Sequence, residues 1–172
     1  MHPDKSCGGC TPEQWRALLQ YNPETGLFRW RNPAWRQPKG WIAGHQFLRG
    51  YRRIFFEGRH YMSHRVAYAI MTGEWPPTEV DHRNGIPHDN RWENLRAATH
   101  AQNCMNRRTS VNSSTGVNGV TLFVARGHIR YRASISVGGK RKSLGLYDTV
   151  AQAAVARRQA AGDLYGEFAR AP

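Results

Sequence analysis

The sequence predicts an α+β protein in two parts, each built from short antiparallel strands and a few helices. Three observations support this fold class. Segments that alternate apolar and polar residues are short and end near Gly, Asn or Pro. Helical segments begin at capping residues and end at glycine. The segment TSVNSSTGVNG has the Ser, Thr, Asn and Gly content of a linker and separates the two parts.

The length of 172 residues suits one or two small domains. The predicted boundaries are residues 1–10 for a disordered tail, 11–108 for the first domain, 109–117 for the linker and 118–168 for the second domain. The first domain is predicted to be a small antiparallel scaffold. The second is predicted to be a three-stranded antiparallel sheet plus one helix.

The first part begins with a helix over TPEQWRALLQY, capped by Thr11, with Gln14 completing a capping box. LFRWR, WIAGHQF and YRRIFFEG predict strands of an antiparallel sheet. SHRVAYAIMTG predicts a helix with Ser63 as its cap and Gly73 as its stop. EVDH then predicts a short strand, RNGIPHDN a loop, and THAQNCMNRR a helix opened by Thr99.

In the second part, GVTLFVA, HIRYRASISV and KRKSLGLY alternate as strands, and DTVAQAAVARRQAAGDLYG predicts a helix capped by Asp148 or Thr149. With a period of two, Arg130 and Arg132 share one face of the sheet. The opposite face is predicted to pack on the helix. Its residues are Ile129, Tyr131, Ala133 and Ile135.

The net charge of +13 favours a polyanionic partner. Nucleic acid is favoured over a membrane surface, because no basic amphipathic helix and no apolar run of spanning length occurs. No secretory signal is seen, which predicts a cytoplasmic protein. The span 94–147 contains no Asp or Glu. Its cations are the candidates for DNA contact, the alternative being a solvated surface: Arg96, Arg107, Arg108, Arg126, Arg130, Arg132, Lys140, Arg141 and Lys142.

Three cysteines without an export signal make a disulfide framework improbable. Cys7 and Cys10 have zinc-ligand spacing, but no second CxxC is present to complete four ligands. A zinc site is therefore not expected, although a zinc-organised module remains a rival interpretation.

The stretch VDHRNGIPHDNRWENLRAATHAQNCMN gathers Asp, His and Asn in a chain that is poor in acids. Asp81 and His82 end a predicted strand, and Asn103 lies on the helix that follows. If strand and helix fold back on each other, Asp81 and Asn103 supply two oxygen ligands, which suit Mg²⁺ or Mn²⁺. His82 would stand beside them as a base. Asn90 is predicted to make only a turn hydrogen bond.

These motifs resemble the HNH nuclease motif in its homing-endonuclease branch, found in bacteriophages and mobile introns. VDHRNG, DNRWENLRAAT and AQNCMN carry the match, and YNPETGLFRW, GYRRIFFEGRHYMSHRVAY and TGEWPP resemble that branch's lead-in. GVTLF, YRASISV and KSLGLYDTVAQAAVA resemble the plant APETALA/ethylene-response-factor (AP-two/ERF) DNA-binding domain. The resemblance implies a ββα-metal nuclease fold followed by a DNA-reading module.

Carried over by position, the resemblance implies that His82 is the general base and that Asp81 and Asn103 hold one divalent ion. Asn94 would tie the loop and orient His82. The products would be a 5′-phosphate and a 3′-hydroxyl on double-stranded DNA. Asn103 stands where many HNH nucleases have histidine, which favours Mg²⁺ or Mn²⁺ over zinc.

The resemblance implies a homing-type enzyme in the host cell of a phage or mobile element. One metal site cuts one strand at a time, so nicking by a monomer is the default, and a dimer would be needed for paired cuts. The main rival is a non-catalytic DNA-binding regulator derived from a nuclease. For His64, core packing and phosphate contact are both open from the sequence.

Overall fold

The structure, a computed structural model, describes residues 9–32, 40–106, 109, 113–125 and 127–169. The chain divides into two compact units, the first ending at His100 and the second beginning at Ala101. This division lies upstream of the predicted linker. No helix in the described ranges has the length and apolar character that crossing a membrane needs.

The first unit opens with helix α1, Pro12–Leu18. The Thr11 side chain accepts from the backbone of Gln14, whose side chain accepts in return from Thr11, so the predicted capping box is confirmed. Trp15, a residue of this helix, is fully buried. Cys10, predicted as the end of a disordered tail, is also buried in the core, and residues 1–8 of that tail lie outside the described residues.

Two three-stranded antiparallel sheets follow, where the sequence predicts one. The first joins β1 (Leu19–Tyr21), β2 (Phe28–Trp30) and β3 (Ile42–Ala43), and the second joins β4 (His45–Gln46), β5 (Arg52–Phe56) and β6 (Arg59–Met62). Gly44 separates β3 from β4 with a φ of 95°, a backbone conformation that favours glycine and turns the chain from one sheet into the next.

Helix α2 spans Ser63–Thr72 and ends at Gly73, whose left-handed φ of 85° confirms the predicted stop. The prediction that Ser63 caps this helix is wrong: the cap position is Met62, and Ser63 is the first helical residue, with its Oγ buried and without a partner among the described residues. The helix packs its buried face on the aromatic core that includes Trp15.

Strands β7 (Glu79–His82) and β8 (Leu95–Ala98) form a separate antiparallel pair, and helix α3 (His100–Met105) follows. The predicted strand EVDH is confirmed to its last residue. Strand β8 was not predicted as a strand. Its register places Asp81 opposite Arg96 and His82 opposite Leu95.

The second unit contains β9 (Val120–Ala125), β10 (His128–Val137) and β11 (Lys140–Tyr147) in the order β11-β10-β9, with helix α4 (Val150–Tyr165). All four elements are as predicted, and Thr149 makes the capping box with Gln152. The prediction that Ile129 packs on the helix is wrong, because it is 59% exposed near the far end of the β9–β10 hairpin. Ala133 and Ile135 are buried, as predicted.

Candidate active site at the end of the β7–β8 hairpin

The residues predicted to carry the chemistry lie at the end of β7. Asp81 and His82 are its last two residues, and both side chains are buried. After His82 the chain leaves the strand and forms a loop that returns at Asn94 into β8. The hairpin thus presents both side chains beside a loop rich in Asn and Asp.

Asp81 forms a buried ion pair across the hairpin with Arg96. The guanidinium donates to Oδ2 of Asp81 from Nε at 2.9 Å and from Nη2 at 2.7 Å. Both side chains are only 6% exposed. Arg96, assigned from the sequence to DNA contact, therefore uses its guanidinium within the hairpin. Its effect is to neutralise the buried carboxylate and to fix its orientation.

Asn94 ties the start and the middle of the loop to its end. Its Oδ1 accepts from the backbone N–H of Asn84 at 2.9 Å, and its Nδ2 donates to the carbonyl of Asp89 at 2.7 Å. The backbone N–H of Arg83 also donates to the Asn94 carbonyl at 2.8 Å. Because Asn94 is buried, these bonds hold the loop with little competition from water.

The His82 ring donates a hydrogen bond to Asn90. Nε2 of His82 lies 3.1 Å from Oδ1 of Asn90, and Asn90 is 1% exposed. An amide oxygen only accepts, so Nε2 carries the proton in this arrangement and Nδ1 carries the lone pair. From the sequence, Asn94 was predicted to orient His82. In the structure, the side chain that accepts the hydrogen bond from the His82 ring is that of Asn90.

Asn90 is held in turn by the turn between β1 and β2. The hydroxyl of Tyr21 donates to the Asn90 carbonyl at 2.7 Å. Gly26 has a φ of 70°, and a Cβ on it would lie 2.5 Å from the carbonyl carbon of Asn90. The NPETG segment therefore does more than turn the chain, because only glycine allows it to approach the loop that fixes His82.

Two further rings surround His82. The centroid of the His64 ring lies 5.0 Å from that of His82 at an interplanar angle of 68°, and Tyr51 lies 5.9 Å away at 62°. Tyr51 and His64 are themselves 5.5 Å apart. His64 comes from α2 and Tyr51 from the residue before β5, so three elements converge on the histidine ring.

Burial sets the protonation of these groups. It lowers the pKa of His82, against the opposing effects of the Asn90 hydrogen bond and the Asp81 charge. Burial, followed by the neighbouring His82, holds the pKa of His64 well below its usual range. Burial and the charge of Asp81 raise the pKa of Tyr51. Both imidazoles are therefore neutral at pH 7, the state a base requires.

The remaining predicted site residues lie in the second unit or outside the described residues. Asn103 lies on α3, half-buried, in the unit that begins at Ala101. Arg107, Arg108 and Arg126 lie outside the described residues. Cys7, one half of the zinc alternative, lies outside them as well. Within the described part of the chain, no group of three or more His, Cys, Asp or Glu side chains is arranged to hold a metal ion.

The second unit carries its cations on both faces of the sheet. Arg132 pairs with Thr121 and Leu146 across the strands, and Arg141 pairs with Ser136, which places both on the face of Arg130. All three arginines are exposed. The Arg132 guanidinium lies 4.3 Å from the centroid of the Phe123 ring, and Arg130 forms an exposed ion pair with Asp148 at 3.0 Å.

Lys140 and Lys142 lie on the other face. Their cross-strand partners are Val137 and Ile135, and Ile135 is buried in the cluster formed with α4. The five cations described on the strands of this unit therefore do not form one continuous stripe. The arginines share the open face of the sheet, whereas the two lysines lie on the helix side.

The comparison with known proteins points to one class. Residues 61–105 match the family model described as HNH endonuclease. The matched segment runs from β6 into α3 and contains His64, Asp81, His82, Asn90 and Asn94. It supports an HNH nuclease acting on DNA, a class that generally uses a divalent metal ion. No curated protein and no solved structure matches the chain.

Sequence reasoning missed three contributors to the site: Asn90 as the partner of His82, and the rings of His64 and Tyr51. DNRWENL contains two asparagines, Asn90 and Asn94, and the spacing alone does not say which one reaches the histidine. His64 stands out in the sequence as a histidine at the start of an apolar helix. Its role could not be predicted, because it depends on a contact with His82 that only the folded structure shows. Nothing in the local sequence around Tyr51 indicates its place.

Proposed function

We propose that the chain is a metal-dependent DNA endonuclease of the HNH homing type, which hydrolyses a phosphodiester and leaves a 5′-phosphate and a 3′-hydroxyl. The observation that carries the proposal is the His82 ring: it is buried, bonded through Nε2 to Asn90, and adjacent to Asp81. This arrangement is what a general base needs, a fixed ring whose tautomer carries the lone pair on Nδ1.

In this reaction Nδ1 of His82 takes a proton from a water molecule. The water oxygen forms a bond to phosphorus, the bond from phosphorus to the 3′ oxygen breaks, and the leaving oxygen takes up a proton from solvent. Asn90 keeps the proton on Nε2 and so keeps Nδ1 basic. Asn94 maintains the loop on which Asn90 is held.

The donor set fits an open oxygen site better than a closed zinc site. Asp81 offers a carboxylate fixed by Arg96, and Asn103 would offer an amide oxygen. Mg²⁺ typically keeps several waters and takes one or two protein oxygens, so two ligands are sufficient. When bound, the ion would neutralise charge on the scissile phosphate. We propose Asp81 and Asn103 as its protein ligands.

Arg96 is assigned a different role from the other cations. Its guanidinium is committed to Asp81, so we propose that it holds the carboxylate in place within the hairpin. Contacts to the DNA backbone are assigned to the exposed Arg130, Arg132 and Arg141 face, with Lys140 and Lys142 nearer the helix side. Arg107, Arg108 and Arg126 complete the proposed set.

The second unit is proposed to be an AP-two/ERF-like module that binds double-stranded DNA through its sheet. Its three strands, one helix and exposed arginine face support this assignment. A basic sheet surface can place its strands in a major groove. Because one active site cuts one strand, we propose a monomeric nicking enzyme that acts in the host cell of a phage or mobile element.

A second candidate function is a DNA-binding regulator without catalysis. It is favoured by one observation, the Arg96 guanidinium bonded twice to the oxygen of the proposed metal ligand. If the ion pair excludes the metal, the hairpin is a structural relic. Retained DNA binding without metal-dependent cleavage would support this alternative.

The test combines metal removal with product analysis. Purified protein is incubated with supercoiled plasmids that carry cloned DNA from the source, in Mg²⁺, in Mn²⁺ and in EDTA. The proposal predicts relaxed circles in either metal and none in EDTA, with nick ends that DNA ligase reseals directly. Cleavage unaffected by EDTA would overturn the metal-dependent mechanism. A nick that ligase does not reseal would overturn the product assignment.

A further inference from the structure

The ring of His82 is held at more than its Nε2 edge. The Asn90 bond fixes one nitrogen, and a single hydrogen bond does not by itself fix the plane of a ring. His64 and Tyr51 close a triangle around it, with centroid separations of 5.0, 5.5 and 5.9 Å. Edge-to-face contacts at these distances are attractive and depend on orientation, so they restrict the plane of the ring.

Of the two rings that contact His82, that of His64 is the more tightly enclosed. His64 is 7% exposed and is the second residue of α2, a helix anchored in the core by Val66 and Ala67, which are fully buried. Tyr51 is half-buried and lies in the connection before β5. His64 therefore has less room to reorient than Tyr51, which is partly exposed.

The contact made by His64 involves its ring rather than its nitrogen. Nδ1 of His64 is buried and has no hydrogen-bond partner among the described residues. A buried polar atom without a partner destabilises the folded state. A ring without that nitrogen would make the same edge-to-face contact and avoid the cost, which gives a way to separate the two properties.

We propose that His64 is the positioning residue of the general base: its ring sets the plane of His82, while Asn90 sets the tautomer. The inference rests on the proposed role of His82 and adds a residue to it. A misplacement of about 1 Å in a catalytic group costs about 10²-fold in rate. Loss of the His64 ring should therefore act on the chemical step and leave DNA binding intact.

The test compares His64→Ala with His64→Phe on a plasmid that the wild-type protein nicks. His64→Ala removes the ring, and we expect kcat to fall about 10²-fold with KM within about threefold of wild type. His64→Phe keeps an aromatic ring and removes the unpartnered nitrogen. We expect it to restore kcat to within about fivefold and to unfold at the same or a higher urea concentration.

A second readout does not depend on cleavage. Imidazole ¹⁵N spectra of the full chain, with and without each substitution, report the tautomer and the mobility of His82. We expect one sharp Nε2–H form in wild type and His64→Phe, and broadened or averaged signals in His64→Ala. His60→Ala serves as the control, because this exposed histidine of β6 lies outside the site and its loss should change neither readout.

The outcomes separate this inference from the function on which it rests. If wild type cuts no DNA while its His82 spectrum responds to His64→Ala as expected, the positioning contact stands and the nuclease proposal fails. If wild type cuts and His64→Ala cuts equally fast, the inference is overturned. If His64→Phe is as slow as His64→Ala, the nitrogen and not the ring carries the role, which also overturns it.

Discussion

The buried ion pair between Arg96 and Asp81 allows a quantitative test of how the site is held. Arg96→Met keeps most of the side chain's apolar length but leaves the Asp81 carboxylate buried without the guanidinium that neutralises it. Two unit charges about 4 Å apart attract by about 4 kcal/mol at an effective dielectric constant of about 20. Removing one partner of a buried pair costs about 3–5 kcal/mol. We expect Arg96→Met to lower the free energy of unfolding by that amount at pH 7.

Urea unfolding followed by tryptophan fluorescence measures this change, because all six tryptophans lie between Trp15 and Trp92, in the first unit. The double variant Asp81→Leu with Arg96→Met is the internal comparison. It removes both charges, so it should cost less than the single variant.

Arg130→Met is the exposed control, because its partner Asp148 is 76% exposed. An ion pair at that exposure should be worth about 1 kcal/mol or less, followed here by circular dichroism of the second unit. An Arg96→Met variant as stable as wild type, or a double variant as unstable as the single one, would show that Arg96 does not neutralise a buried Asp81 charge.

Three further predictions concern the loop and the sheet. Hydrogen bonds from Arg91 lower the pKa of Asp89 from 3.8 to about 2, so the stability that this carboxylate contributes is present above about pH 4 and lost as pH falls through 2. Asp89→Asn should therefore lower the free energy of unfolding at pH 7 and flatten its decrease between those pH values. Asn90→Ala should reduce kcat about 10²-fold with little change in KM, and single-turnover nicking kinetics measure the effect. Arg141→Ala should reduce the slope of log K against log salt concentration for DNA binding by about one, and Lys142→Ala should reduce it by less, because these neighbours lie on opposite faces of the sheet. Gel shifts over a series of salt concentrations measure both slopes. Equal slopes for the two variants would contradict the proposed DNA-binding face.

Local structure follows from the sequence wherever the signal lies within a few residues. The capping boxes at Thr11 and Thr149 and the stop at Gly73 were predictable, because each motif contains both donor and acceptor. The cap at Ser63 was not, because β6 runs directly into α2 and places Met62 at that position. A serine before an apolar helix does not reveal that the preceding strand continues to the helix.

Several residues of the candidate site could be predicted from the sequence, but most of the contacts between them could not. The order of Asp, His and Asn in the sequence indicates a nuclease motif, and Asp81 and His82 do end a strand beside a polar loop. That Arg96 pairs with Asp81 depends on the register of β7 with β8, and that Asn90 meets His82 depends on the loop conformation. His64 reaches the ring from an element about twenty residues upstream, a long-range contact that local sequence patterns do not encode.

Plasmid nicking by His82→Ala beside His88→Ala tests most directly whether His82 is the general base. Both variants lose a histidine from the same segment, but His88 is exposed in the loop whereas His82 is buried against Asn90. In Mg²⁺, we expect His88→Ala to relax supercoiled plasmid carrying source DNA as wild type does, and His82→Ala to bind the plasmid but leave it supercoiled. Undiminished nicking by His82→Ala would contradict the assignment of His82 as the general base.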